Sequence, residues 1–505
     1  MPSETINVKL LQKWVIFLFY IALSFLTISR HEIWGDELHS WNIARSGATF
    51  ADVISNSRYE GHPPVWYIVL WSISRFTADI VWMQVAHWMI ITLAVFILLF
   101  FSPFPFLTRI LIPFGYFFLF EYAALSRNYA IALLLVFCIL LVIRSRSRYK
   151  IPLYYMLLFV LANTHLLALI LAGSLHLYFL LLNREKGAKP KELLLQGLFG
   201  LIVLLPTLYF IFPPTDSALD FSAFWGRVHL KDQLAIMLVA PFKSFIPVPA
   251  WWKYNFWNTQ FLLEAALQYR LLKGVIVLMS IGLPLLAFYI LKGNRKSLVL
   301  FTSNLVVTLV MAAVFPLTTV RYTGFIFIGF IAAYWLYTAE TSPDRKTGYL
   351  VNILLAIQII GCTIAVTKDI RYPFSMAYKA GEVLKEVPAG GKIVTDFWCV
   401  DMLSTYTGKA FYCIDIQREF SFLQWKVEYR MLLEAHDSYY NGMKELFERE
   451  HLKEVYFITA RSREYIKRRY SPLLQAFQLD LIDKRDHAIE ESSNLYLYRV
   501  TALHD

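Results

Sequence analysis

Apolar runs broken by short polar loops repeat from residue 13 to about residue 366, and then the repetition stops. A bilayer core takes roughly 17–25 mostly apolar residues as a helix. On that measure the chain predicts eleven spans: 13–29, 81–102, 106–120, 129–143, 151–163, 166–182, 193–212, 273–291, 297–315, 323–338 and 349–366. Several are short and draw on adjoining loops. The pair within 151–182 turns at Asn163-Thr164-His165 with no evident loop between. Two loops on one face are long, 30–80 and 213–272. The first holds Val65 to Phe76, with Trp66, Tyr67 and Trp71. That segment is too short to span and is expected to lie as an interfacial helix. The second holds Phe242, Phe245, Trp251, Trp252, Tyr254, Phe256 and Trp257 among several prolines. Such aromatics favour the headgroup level, either as an interfacial belt or as a mobile cover over a groove open to lipid.

Beyond residue 367 the pattern changes. Residues 392–395, 410–414, 454–459 and 495–500 have the β-branched and aromatic content of strands. Helical patterns separate them at 376–387, 399–406, 440–450 and 461–468. The alternation predicts a mostly parallel sheet in a small α/β domain. No glycine-rich phosphate loop follows a strand; Pro388-Ala389-Gly390-Gly391 precedes one and reads as a turn. Acceptor binding or scaffolding is the task expected of this tail. The expected architecture is a multi-pass α-helical membrane domain over 1–366, with its outer loops 30–80 and 213–272, followed by a soluble α/β domain over 367–505.

Composition agrees with that division. The 505-residue chain is 57% hydrophobic and only 17% charged, against about 25% charged in globular domains. The net charge of +11 would suit a nucleic-acid binder if it were spread evenly, and it is not. Residues 367–505 hold 20 basic and 21 acidic residues; the remaining 28 basic and 16 acidic residues lie in the membrane half. There the basic groups cluster in alternate short loops: Arg144 to Lys150, Arg184 to Lys191, Lys292 to Lys296, and Arg345-Lys346. This is the positive-inside pattern. It predicts a cytoplasmic N-terminus, an extracytoplasmic tail, the plasma (inner) membrane as location, the bilayer as partner and no nucleic-acid partner. No small-residue cleavage site follows the first apolar run, so it is expected as an uncleaved span. Cys399 and Cys413 would then sit in an oxidising compartment that allows a disulfide, although spacing alone does not show that their geometry permits one.

The polar residues that stand out all fall on the outer face of this topology. Asp36 and Glu37, in Trp34-Gly35-Asp36-Glu37-Leu38-His39-Ser40-Trp41, follow the first span. They read as a general base or a metal ligand, or more plainly as a helix N-cap. His62, in His62-Pro63-Pro64, reads as a phosphate ligand or as a partner of Asp36 and Glu37 on a divalent ion; the prolines read as a turn launching the next helix. Arg127 and Tyr129 lie in Ser126-Arg127-Asn128-Tyr129, His165 on the next outer turn, and Arg321-Tyr322 at the outer end of the tenth span. An arginine at a helix end also snorkels, and a histidine at a turn is commonly structural. Ionisable groups gathered at one depth are nonetheless functional candidates. On the outer face nucleotide donors are absent, so a transferase there needs a donor delivered in the lipid, such as a sugar on a polyprenyl phosphate.

In their order, these motifs over about residues 10–340 resemble the integral-membrane (GT-C) glycosyltransferases. Within them they resemble the protein mannosyltransferase-like family that uses polyprenyl-phosphate sugars, related to the lipid A aminoarabinose transferases. The resemblance implies inverting sugar transfer from a polyprenyl-phosphate donor, with Asp36 as base and Arg321 or Arg127 on the donor phosphate. It also implies a divalent metal near the carboxylate in some members. It does not extend to the tail, so the acceptor, whether glycan, lipid or protein, is not implied. A transporter or flippase of a lipid-linked substrate is the main alternative; it would be expected to show internal repeats and midplane polar sites, and the sequence has neither. A non-catalytic anchor with a partner-binding tail would leave the polar set without a purpose.

Overall fold

The structure, a computed structural model, describes residues 2–218, 230–315 and 318–503. Among the described residues eight helices are long and apolar enough to cross a membrane: Val8–Arg30, Val81–Phe101, Leu166–Glu185, Pro190–Ile211, Leu271–Leu291, Arg295–Val314, Val320–Glu340 and Arg345–Arg371. The chain is a multi-pass membrane protein. Three of the eleven expected spans take another form. Tyr129–Arg144 and Lys150–Ala162 are apolar helices of 16 and 13 residues. At about 1.5 Å per residue both fall short of a bilayer core of about 30 Å. The segment 106–120 does not form one helix. It divides into Phe106–Leu111, a tight turn at Ile112–Phe114 and a wide turn at Phe117–Glu121. Pro113 lacks the N–H an α-helix needs and clashes with the preceding turn. Broken backbone at membrane depth is tolerated where protein encloses it, and residues Tyr116 to Asn128 are all buried.

The chain forms two compact units. One gathers Met1–Ser29, Gln84–Phe212 and Phe221–Lys368; the other gathers Arg30–Met83, Pro213–Asp220 and Asp369–Asp505. The long loop 30–80 therefore groups with the tail, and the second unit is discontinuous in sequence.

In the first unit the helix Val320–Glu340 runs through the centre, with nearly every residue from Val320 to Tyr337 buried. Two glycines let neighbours approach it. A Cβ on Gly324 would lie 2.3 Å from Phe117 Cε1, and one on Gly329 would lie 2.2 Å from Asn304 Nδ2. Small residues serve close helix contact in membranes in this way. The aromatic set of loop 213–272 divides. Phe242, Phe245, Phe256 and Trp257 are buried, and Phe245 packs against Phe301, Phe327 and Phe330. Trp251 and Trp252 are half exposed. Residues 219–229 of that loop lie outside the described residues. At one end of the unit the basic loops meet: Lys296 pairs with Glu185 and, at 2.9 Å, with Glu340, which also accepts from Tyr178 and Asn294.

In the second unit three helices, Gly35–Ser46, Phe50–Arg58 and Val65–Ser74, accompany a six-stranded sheet. The expected interfacial helix is Val65–Ser74. Its Trp66, Tyr67 and Leu70 are buried, and Tyr67 packs with Ile43 and Val53, with the half-buried Trp71 against them. The strands are β1 Ile393–Thr395, β2 Phe411–Cys413, β3 Arg418–Phe420, β4 Glu454–Thr459, β5 Phe477–Arg485 and β6 Leu495–Ala502, in the order β3-β2-β1-β4-β6-β5. The sheet is mixed, not mostly parallel. Only β1 with β2 and β1 with β4 run parallel; the other three pairings are antiparallel. Parallel neighbours need a crossover helix, and Val400–Thr407 and Ser438–Glu450 supply them. β2–β3 and β5–β6 are joined directly as hairpins. The unexpected strands, β3 and β5, are the two edges, and both carry charges that make them read as loops. Cys399 and Cys413 are both buried and unbridged.

Candidate functional site

Three motifs far apart in sequence meet at one end of the membrane unit. The buried turn ending at Asn128 starts the helix Tyr129–Arg144, and Asn128 donates to the Thr164 carbonyl at 3.0 Å. His165 caps the helix Leu166–Glu185, its Nδ1 accepting the Ala168 N–H at 3.2 Å. Its ring lies 4.9 Å from that of Tyr129 and 4.5 Å from that of Phe325. Tyr122 stacks on Tyr129 at 5.1 Å, and its hydroxyl donates to the Arg321 carbonyl at 2.5 Å. Arg127, Tyr129, His165 and Arg321 are all buried; Tyr322 is half-buried. The other end of the helix Leu166–Glu185 carries the Glu185–Lys296 pair. The segments that carry Tyr129 and His165 and the basic residue Lys296 therefore lie at opposite ends of the same unit.

Two further members of this cluster do not stand out from motifs. Glu121 is buried and accepts from the Tyr116 hydroxyl at 3.0 Å and from Trp257 Nε1 at 3.3 Å. The Arg321 guanidinium lies over the Trp257 ring at 5.5 Å and over Tyr322 at 5.1 Å. Trp257 thus offers its N–H to an acid and its face to a cation. A cation over an aromatic face is attracted by the ring quadrupole, the more so when desolvated. One sequence signal does mark Glu121: it is the sole Asp or Glu between Asp79 and Glu185. A carboxylate so isolated in apolar sequence needs a buried partner.

Asp36, Glu37 and His62 belong to the second unit. The helix Gly35–Ser46 begins with both acids in its first turn, where the helix dipole favours negative charge. The cap is made by Glu37: its carboxylate accepts the Trp34 N–H at 3.1 Å and lies 3.3 Å from His31 Nε2. Glu37 is fully enclosed, whereas Asp36 is half-buried. His62 is half-buried on the turn before Pro64, the cap of Val65–Ser74. Among the described residues no group of three or more His, Cys, Asp or Glu could hold a metal ion. Glu37 is engaged by its cap and by His31.

Two histidines that sequence reading passed over are the main polar joints of this unit. His31 lies between Glu37 and Asp369, with Nδ1 3.1 Å from the Asp369 carboxylate. His39 lies between Glu60, 2.9 Å from Nε2, and Asp401, 2.8 Å from Nδ1. Burial alone would push both imidazoles down. The flanking carboxylates outweigh it: Asp369 and Glu37 hold His31, and Glu60 and Asp401 hold His39, well above the ordinary histidine range. Asn42 also donates to Asp401, and Arg45 to the Ser404 and Thr405 carbonyls. Residues 30–60 are thus tied to residues 369–405 by charge-assisted bonds.

Compared with known proteins, the chain matches no family model and no curated protein.

Proposed function

We propose that this protein is a membrane glycosyltransferase of the GT-C kind. It moves a sugar from a polyprenyl-phosphate donor to an extracytoplasmic acceptor with inversion. The observation that carries this reading is the convergence of Glu121, Tyr129, His165 and Arg321 from three separate segments into one buried cluster, with the buried Arg127 next to Asn128. Burying two arginines, a histidine and an acid among apolar helices is costly, and ionisable groups there point to function. In the proposal the arginines stabilise the departing phosphate as its charge develops. Asp36 accepts the proton of the acceptor's nucleophile. Its half-open position suits that role better than the enclosed Glu37 does. Eleven crossings, with the N-terminus cytoplasmic and the tail outside, remain the topology we propose, with the short helices and the broken segment 106–121 completing the count.

The test is transfer of labelled sugar from polyprenyl-phosphate donors to membrane acceptors, comparing wild type with Asp36→Asn. Asparagine keeps the shape and removes the base. We expect transfer in wild type and a fall of about 10²–10⁴-fold in the variant, the range for a lost general base. Equal transfer in both would remove Asp36 from the mechanism. Absence of transfer with every donor, together with movement of a lipid-linked substrate across vesicle membranes, would favour a flippase.

A further inference from the structure

The tail carries a cavity of its own, apart from the polar residues described above. It measures about 290 Å³ and is lined by Phe397, Trp398, Trp425, Tyr429, Arg430 and Glu434, among others. Its place in the sheet is informative. β1 has β2 on one side and β4 on the other, both parallel to it. The chain goes from β1 to β2 on one side and from β4 to β5 and β6 on the other, and in such sheets ligands bind beyond the carboxyl ends of the strands at this reversal. Phe397 and Trp398 are the residues just beyond the end of β1, and Arg461, just beyond β4, lays its guanidinium 5.8 Å from the Trp398 ring.

The turn that presents these aromatics is held from beneath by two buried acids. Asp396 accepts the Cys399 N–H at 2.9 Å, the Tyr439 hydroxyl at 2.7 Å and the Thr459 hydroxyl. Asp415 accepts the Phe397 N–H at 3.0 Å. Trp398 and Trp425 stand 5.7 Å apart with their planes inclined at 58°, and Trp398 is 38% exposed. The two indoles touch each other and together make one angled aromatic wall, whose outward side is open at Trp398. At the rim Arg430 and Glu434 pair at 3.0 Å.

The chemistry of the lining selects among ligands. Phosphates bind at a helix start through a glycine-rich turn. Here the turn Asp396-Phe397-Trp398-Cys399 has no glycine, and Asp396 and Asp401 bring negative charge to the start of the helix Val400–Thr407. A purely apolar ligand would desolvate the Arg430–Glu434 pair without replacing its bonds. A sugar ring meets both demands. Its C–H face suits the negative face of an indole, and its hydroxyls can both accept from a guanidinium and donate to a carboxylate. The volume sits at the lower end of the roughly 300–1,000 Å³ of small-molecule sites, which suits one or two rings.

We propose that this cavity is a saccharide-binding site, with a ring laid against the aromatic wall of Trp398 and Trp425 and its hydroxyls engaged by Arg430 and Glu434. The site binds; it performs no bond-making step. The test is saturation-transfer NMR on the full-length protein in a detergent without a sugar headgroup, with no donor present. The probes are cellobiose, mannobiose and N,N′-diacetylchitobiose. We expect saturable binding of at least one, with Kd on the order of 0.1–10 mM. Trp425→Ala and Arg430→Gln should each weaken it about tenfold, and Trp425→Tyr should retain most of it. Should Trp425→Ala fail to fold, Arg430→Gln and Glu434→Gln at the rim carry the test. Lack of saturable binding for all three sugars overturns the proposal. So does binding that Arg430→Gln and the Trp425 variants leave unchanged, which would place the sugar elsewhere. Because no donor is added, these outcomes are independent of whether the chain transfers sugars.

Discussion

The membrane unit and the tail unit both bury charge, and they do so in different ways. In the tail unit His31 and His39 each stand between two carboxylates within 3.3 Å. Both ring nitrogens are used, and the positive charge is answered on the spot. In the membrane unit Arg321 lies against the faces of Trp257 and Tyr322. An aromatic face lowers the cost of a buried cation, and at the other end of the same unit Lys296 meets Glu185 and Glu340. The comparison teaches that burial of ionisable groups does not by itself mark chemistry; the kind of partner does. Imidazolium–carboxylate joints hold segments together. In our functional proposal the guanidinium stacked on Trp257 and Tyr322 is a group that meets the donor phosphate.

The largest effect that would break this contrast is at Arg321. On our proposal Arg321→Gln lowers sugar transfer by about 10²–10³-fold, as loss of a group stabilising developing charge does elsewhere. The Tyr122 bond goes to the Arg321 carbonyl and survives the change. Arg321→Lys should recover only part of the loss, because an ammonium lacks the planar face for stacking. A transfer assay in which Arg321→Gln equals wild type would class this cluster with the structural joints.

His39 should behave in the opposite sense, affecting stability and not transfer chemistry. His39→Gln leaves Glu60 and Asp401 buried without their shared cation. We expect a loss of about 3–5 kcal/mol, read by denaturant unfolding of the purified protein. Unchanged stability would show that the joint bears no load.

The same joint predicts a pH dependence. The folded-state pKa of His39 is raised, so its contribution is fully present below the unfolded value near 6.5 and is lost as pH rises through the higher folded value. Wild type should therefore lose thermal stability on the alkaline side of neutrality, and His39→Gln should lose less over the same range. Parallel curves for the two proteins would remove His39 as the source.

The smallest expected effect is at Trp257. Trp257→Phe keeps an aromatic face for Arg321 and deletes the N–H that Glu121 accepts. A single such bond is worth about 1.5–3 kcal/mol when one partner is charged, so transfer should fall by roughly 10- to 100-fold or stability by about that energy. Full retention of both would show that the indole serves only by its face.

Much of this was legible along the chain, for reasons tied to particular residues. Eight of the long apolar runs are membrane-length helices because hydropathy is a local property, summed over neighbours. The strands at 393–395, 411–413, 454–459 and 495–502 were legible because β-branched and aromatic residues crowd them. β5 was not, since Asp480, Asp483, Lys484 and Arg485 obscure its alternation on an exposed edge. The meeting of the segments that carry Arg127, His165 and Arg321 at one end of the membrane unit agrees with the alternation of apolar runs and loops along the chain. Trp257 did not, because an aromatic in a long loop reads the same whether it faces lipid or packs under an arginine.

By itself, then, the sequence determined that the chain crosses a membrane many times and that a small α/β fold follows. These rest on periodicity and charge, which act over a few residues. Only the tertiary structure decided that loop 30–80 belongs with the tail, that Glu37 caps and pairs while Asp36 stays half open, and that His39 meets Asp401 across 362 residues of chain. A buried ion pair depends on distance in space and on the exclusion of water, and neither is written in the spacing of residues along the chain.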